Sequence, residues 1–260
     1  MIRQIFDNCL PLLDTLKHNH YSRRIKSHYQ AYGTKYDFAR FFEIADEAGE
    51  TAGMIVIFNA SMIVSTSENK SLDKDGLYEL SQFILMNAPL MVEIEVCYSD
   101  ALRPLLADDY TTDVRTQFEF SSRNALPLME VNELPKLDDV FKVLASSFPS
   151  IADNYELWIT DTSHRVRRGL SQSFLLGDYT TATIQYIVDK VALIGHVATV
   201  PERRGEFHAR RLLYWIGERL TLDGFTVRLF ARPHRVSYYE EIGFKELETD
   251  IVFERKEFND

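Results

Sequence analysis

Cysteine is scarce in this sequence: Cys9 and Cys97 are the only two in 260 residues, and they lie far apart. That excludes a disulfide framework and fits a reducing compartment. With no C-x-x-C pair and no Cys/His cluster, no metal site is expected. Long apolar runs are missing too. None approaches the roughly 20 residues that span a bilayer, so no membrane partner is expected. The opening Met1-Ile2-Arg3-Gln4 has no apolar leader and cleavage site, and the expected location is cytoplasmic. Basic charge is outnumbered, with 29 Lys and Arg against 39 Asp and Glu and a formal net charge of −10. Binding to a phosphate backbone needs clustered cations, so nucleic acid is not an expected partner. An acidic surface suits a cationic small substrate, but it also suits plain solubility. The Walker loop, the G-x-G-x-x-G fingerprint and the G-x-S-x-G elbow are all absent.

What is present is an alternation of strand-like and helix-like segments in a chain long enough for one large or two ordinary domains. The segment up to Tyr32 reads as helical, from Ile5, Leu10, Leu13 and Leu16. Strands are expected over 38–44, 52–65, 90–98 and 115–121, with a helix carrying Leu77, Leu80 and Ile84 and a short one over 101–106. The polar stretch 121–127 ends at Pro127 and marks the expected boundary between domains 1–122 and 123–260. The second half reads as a short strand over 128–131, helices over 137–147 and 154–168, and strands over 171–176, 181–188 and 192–200. A long helix over 206–222, a strand over 226–231, a short helix over 236–241 and a closing strand over 245–255 complete it. The fold class is therefore mixed α/β, with a central, mostly antiparallel sheet flanked by helices. The two halves share an order of elements, which suggests a duplication whose first copy is degenerate. Two unrelated α/β units are the other reading.

The informative segment is residues 195–213. An apolar strand stops at Pro201, which cannot donate to a ladder. A Glu202-Arg203-Arg204-Gly205 turn follows, and then Ala209, Leu212, Leu213, Ile216 and Leu220 form a helical stripe. A strand that feeds a glycine-containing turn onto a helix start makes an anion site from unpaired N–H groups and the helix dipole. Arginines in the turn suit a pyrophosphate.

Residues 197–209, Val-Ala-Thr-Val-Pro-Glu-Arg-Arg-Gly-Glu-Phe-His-Ala, resemble the acetyl-coenzyme A signature of the GNAT superfamily of N-acetyltransferases. Arg204, Gly205, Glu206, His208 and Ala209 fit it, and Phe207 stands where the family usually has its second glycine. Tyr239-Glu240-Glu241-Ile242-Gly243-Phe244 resembles the family's later Tyr-Glu-x-x-Gly-Phe segment. Arg232 stands where an asparagine commonly contacts the coenzyme arm. The resemblance covers roughly residues 125–260. It implies a GNAT-like acyl-CoA N-acyltransferase fold, in tandem if the first half is a copy, and acetyl-CoA as co-substrate.

It also implies roles. Val197, Ala198 and Thr199 would form the strand edge against which the pantetheine arm lies, splayed from its neighbour. Residues Arg204, Gly205, Glu206, Phe207, His208 and Ala209 would hold the pyrophosphate through backbone amides. Tyr239 would protonate the leaving thiolate, with Tyr238 as the other candidate. An ordinary phenol, with a pKa near 10, holds its proton at neutral pH. The expected function is transfer of acetyl from acetyl-CoA to an amine by direct attack; a binding or sensing protein without turnover is the alternative. The general base is not legible. Strand alternation puts His196 opposite Val197 and Thr199, while His208 and His234 only flank the region. The first half has no Arg-x-x-Gly pattern, and Glu68, Asp73 and Asp75 would repel a pyrophosphate, so it is not expected to bind the coenzyme. It either walls the acceptor cleft or is structural, as in a homodimer.

Overall fold

The computed structural model describes residues 1–256. The chain divides into two compact units. One contains Met1–Arg115 and the end of the chain from Thr249, and the other is Thr116–Glu248. The cuts lie inside two strands rather than in the polar stretch near residue 122.

The first unit begins with β1 (Ile2–Ile5), α1 (Leu10–Leu13) and α2 (His20–Tyr32). The expected all-helical opening is corrected here: Ile2 to Ile5 pair antiparallel with Ile44 to Phe41 of the next strand. β2 (Ala39–Ala45), β3 (Thr51–Phe58) and β4 (Ser61–Thr66) follow. The single strand expected over 52–65 is two strands, because Asn59 turns the chain at φ +50°. α3 (Lys74–Asn87) buries Leu77, Leu80 and Ile84 and is capped by the Asp73 carboxylate, which accepts from the Gly76 N–H at 2.8 Å. It stops at Ala88 in left-handed conformation before Pro89. β5 (Met91–Glu93) is shorter than expected, and a 3₁₀ turn over Val96–Tyr98 replaces its second half. α4 (Ser99–Leu106) and β6 (Tyr110–Phe120) complete the first half. Pairing is antiparallel from β1 through β4 and parallel between β4 and β5.

The second unit contains α5 (Leu137–Ala145), α6 (Pro149–Ala152), α7 (Tyr155–Arg167), β7 (Gln172–Leu176), β8 (Thr180–Val188) and β9 (Val191–Thr199). Then come α8 (His208–Leu222), β10 (Thr226–Ala231), α9 (Val236–Ile242) and β11 (Phe244–Arg255). No strand forms over 128–131; only Asn132 bridges to Leu175. β7, β8 and β9 are antiparallel, β9 and β10 are parallel, and β10 pairs with the end of β6. The end of β11 pairs with β5 in the first unit, through Val252 and Glu93. β6 and β11 are thus each divided between the units, the end of β6 belonging to the second and the end of β11 to the first.

The core of the second unit explains where α8 sits. Leu212, Leu213, Ile216 and Leu220 meet Phe118, Phe174 and Ile194. Full burial of each such side chain contributes about 1.5–3 kcal/mol. Gly217 lets the helix approach β6, since a Cβ there would lie 2.6 Å from the Phe120 ring. α8 is thereby held against the sheet, with its N-terminus just beyond the end of β9.

Candidate functional site

β9 and β10 run in parallel register from Val191↔Thr226 to Ile194↔Leu229 and no further. Beyond that point β9 continues through Gly195–Thr199 without a partner on β10. The cause is local. Thr181 pairs with Ala198 but Thr183 pairs with Gly195, so β9 carries one extra residue, and His196 takes φ +46°. Such a bulge bends its strand and ends regular pairing. It also defeats the alternation used to place His196 opposite Val197. His196 is exposed, with its Nδ1 3.4 Å from Thr183 Oγ1 and its ring beside Phe148. Ala198 is buried on Val140, Val143 and Leu144 of α5, and Val197 packs on the main core. These contacts fix the strand while leaving one edge open.

After Thr199, Pro201–Arg203 make a 3₁₀ turn, and Gly205 takes φ +85°. No atom lies within 4 Å of a Cβ built there, so Gly205 is required by its backbone and not by crowding. Phe207, the residue before α8, is left-handed at φ +60° and offers no side-chain cap. These two positive φ values delay the helix from the expected Glu206 to His208. The first helical backbone bond runs from the Arg211 N–H to the Phe207 carbonyl at 3.0 Å. The N–H groups of His208, Ala209 and Arg210 therefore have no acceptor inside the helix.

Arginines surround this start. Arg204 Nε donates to the Thr199 carbonyl at 3.1 Å and Nη2 to Ser147 Oγ at 2.9 Å, tying the loop to the end of β9. Arg203 lies over the Tyr179 ring at 4.7 Å and pairs with Glu206 at 3.3 Å. Glu206 also meets His208 Nε2 at 2.9 Å, and His208 Nδ1 is buried without a partner among the described residues. A cavity of about 330 Å³ opens here, lined among others by Thr199, Arg203, Arg204, Phe207, Arg235 and Tyr238. Ala209 also faces it. An open strand edge, unpaired amides and three arginines fit a polyanion carrying an extended polar arm.

Tyr239 lies on α9, half-buried against Phe118, Phe244 and Tyr238, at ring separations of 5.9, 6.1 and 5.2 Å. Burial raises its phenol above the ordinary value, with a smaller push from Tyr238. The group is thus protonated at neutral pH. Tyr238 is raised too, by burial, but its ring carries the Arg210 guanidinium at 5.4 Å. Arg232 is exposed at the end of β10, and its carbonyl accepts from the Arg235 N–H at 2.9 Å. Arg210, in the first turn of α8, is not among the residues the sequence singled out, yet it stands beside the candidate loop. It lies between Phe207 and Tyr238, and the Phe207 to Arg210 spacing of one helical turn was the available signal. Among the described residues no His, Cys, Asp and Glu group could hold a metal, and no helix is long and apolar enough to cross a membrane.

No family model matches the chain, and no curated protein matches it by sequence. Solved structures do. A GNAT-family acetyltransferase from Colwellia psychrerythraea aligns at TM-score 0.58 and 13% identity, over 99% of this chain and 100% of its own. A GCN5-related N-acetyltransferase from Sphaerobacter thermophilus aligns at 0.62 and 16%, over 90% and 85%. A tandem GNAT protein from the clavulanic acid biosynthesis pathway aligns at 0.59 and 9%, over 100% and 99%. The chain has the GNAT fold, as the two sequence segments implied. The full-length match to a tandem protein accords with the repeated order of elements. At these identities the likeness establishes fold, and chemistry has to be argued from the site.

Proposed function

We propose that the chain is an N-acetyltransferase that moves acetyl from acetyl-CoA to an amine. The observation that carries this reading is the open edge of β9 running into an uncapped, arginine-flanked helix start. In this reading the backbone of Val197, Ala198 and Thr199 bonds the pantetheine arm. The amides from Gly205 to Ala209, with Glu206, Phe207 and His208 between them, take the pyrophosphate. Arg204 holds the loop in shape, and Arg232 lies beside the arm's exit. Freed strand amides polarise the thioester carbonyl where negative charge develops. The amine attacks that carbonyl directly, its C–N bond forms, and the C–S bond breaks. Tyr239 gives its proton to the departing thiolate, the acylated nitrogen sheds its own proton to solvent, and the phenol is restored from solvent, its raised pKa favouring the protonated form. No covalent enzyme intermediate is needed.

A coenzyme-binding or sensing protein without turnover is the second reading, favoured by Phe207 at a position that usually asks for glycine. Calorimetric titration with acetyl-CoA tests the site. The wild type should bind saturably, and Arg204→Glu should bind about a hundredfold more weakly, the scale of losing hydrogen bonds that involve a charged group. Free thiol release across an amine panel then separates the two readings. Absence of wild-type binding would end both.

A further inference from the structure

Phe207 combines three properties that a packing residue does not. It is 64% exposed, it sits in the left-handed region at φ +60° with a full side chain, and it contributes no cap to the helix behind it. Backbone strain of this kind persists only where the surroundings over-determine it, and it gathers at ligand sites. The ring is also held in place. The Arg210 guanidinium lies 5.5 Å from its centroid and 5.4 Å from that of Tyr238, and Arg210 Nη2 is fixed by the Glu241 carboxylate. One side of the Phe207 ring is thus backed by a clamped cation. The ring lines the arginine-rich cavity at the same loop as the free amides.

We infer that Phe207 is a base platform: the adenine of a nucleotide-bearing acyl thioester stacks on its free face, with Arg210 and Tyr238 stacked beneath. This rests on the coenzyme reading above and sharpens it to a donor class. The amides take the diphosphate, and the group that follows the diphosphate away from the thioester in coenzyme A is the nucleoside. An aromatic ring beside the diphosphate amides therefore meets the adenine and not the acyl group. A donor with the same arm on a carrier protein has no adenine and gains nothing from the ring. The departure from glycine thus selects free coenzyme A thioesters over carrier-bound ones.

The test is titration of wild type, Phe207→Gly and Phe207→Trp with two ligands, acetyl-CoA and acetyl-4′-phosphopantetheine. The second has the arm and thioester without the adenine nucleotide. Phe207→Gly should weaken acetyl-CoA about tenfold, in line with loss of one base–aromatic stack, and leave acetyl-4′-phosphopantetheine within about twofold. Phe207→Trp should keep wild-type affinity for both. Equal losses for the two ligands, or an acetyl-CoA affinity that holds or improves in Phe207→Gly, would overturn the platform while leaving the coenzyme site standing. A wild type that binds neither ligand overturns the coenzyme reading and the platform together. Matching circular dichroism melts confirm that the variants are folded.

Discussion

The two halves of the chain trace the same path and finish it differently. In each, antiparallel strands lead into a helix, a strand parallel to the previous one, and a short helix: β4, α3, β5, α4 in the first, and β9, α8, β10, α9 in the second. In each, the parallel pair separates after a few residues. The first half then fills the gap. Pairing ends at Ile63↔Glu93, and the Glu95 carboxylate turns onto β4, accepting from the Thr66 N–H at 2.9 Å, Ser65 Oγ at 3.3 Å and Asn19 Nδ2 at 3.1 Å. The second half leaves residues 195–199 of β9 without a partner on β10. The helix starts diverge in the same sense. Asp73 caps α3, and the cavity there is lined by Asp46, Glu47, Asp73, Asp75 and Glu79. α8 has no side-chain cap, and its cavity is lined by arginines. On the proposed reading, one architecture becomes an anion site or a closed wall according to whether its spare backbone donors are satisfied by carboxylates.

The short helices give the largest expected effect. The Tyr239 hydroxyl makes no hydrogen bond among the described residues. Tyr98, which leads into α4, is buried, and its oxygen accepts from the Leu72 N–H at 3.3 Å. If the halves divide chemistry from structure, Tyr239→Phe lowers turnover by about 10²–10⁴ with unchanged acetyl-CoA affinity. Tyr98→Phe should leave turnover unchanged and affect only stability. Steady-state thiol release and calorimetry on both variants check this. A Tyr239→Phe enzyme at full speed would remove the proton donor from the mechanism.

Next in size is a pH effect confined to the first unit. Glu93, fully buried, meets His20 from α2 at 3.3 Å and pairs with Arg24 and Arg115. Arg115 also pairs with Asp250, which accepts from the Tyr21 hydroxyl. Burial works against the Glu93 charge, but Arg24 and Arg115 outweigh it and hold the carboxyl well below the usual range. Burial lowers His20 to about 4, the pull of Glu93 notwithstanding. His20 is therefore neutral, and its Nε2–H donates to the carboxylate. The unfolded chain binds a proton at His20 below about pH 6.5 that the folded chain refuses until about pH 4. Stability must fall as pH drops through that window, by up to about 3 kcal/mol from this group. Glu93 adds a further loss as pH falls through about 4.5, where the unfolded carboxyl is half protonated and the folded one still charged. His20→Gln should flatten the upper part of the slope. Hydrogen exchange read separately on α2 and β5 peptides and on α8 and β9 peptides would show the loss in the first set only. Equal loss in both would break the division.

How much of this was readable beforehand depends on the range of the forces involved. The β9–loop–α8 segment was legible because Pro201, Gly205 and the Leu212, Leu213, Ile216 stripe act locally. β1 was misread because its pairing with β2 is a contact with residues 41–44, and the four residues themselves do not alternate strongly. The hairpin at Asn59 lies between two apolar runs, 54–58 and 62–64, with so short a polar break that the two strands read as one. β5 stops early because Glu93 and Glu95 turn to partners on α2, β4 and β6, which no local pattern announces. The bulge at His196 is a matter of register with β8, so alternation could not foresee it. At Phe207 the sequence flagged a departure from the family's glycine, but only the φ angle and the stack on Arg210 show how the chain accommodates it.

Glu95 tests whether the closed gap alone separates the halves. Glu95→Ala leaves the buried Thr66 N–H without its acceptor, at a cost of about 1–3 kcal/mol. A chemical denaturation curve should show that loss, with the midpoint moved and the slope kept. Acetyl-CoA should still bind at one equivalent per chain, because the carboxylates around α3 remain and repel a polyanion even from an opened slot. A second equivalent of coenzyme in Glu95→Ala would mean that a single side chain had closed the first site and that the acidic helix start had no part in it. Glu95→Ala combined with Asp73→Asn and Asp75→Asn takes the question one step on. If weak binding appears only in the triple variant, strand gap and helix start act together, as proposed for the second unit.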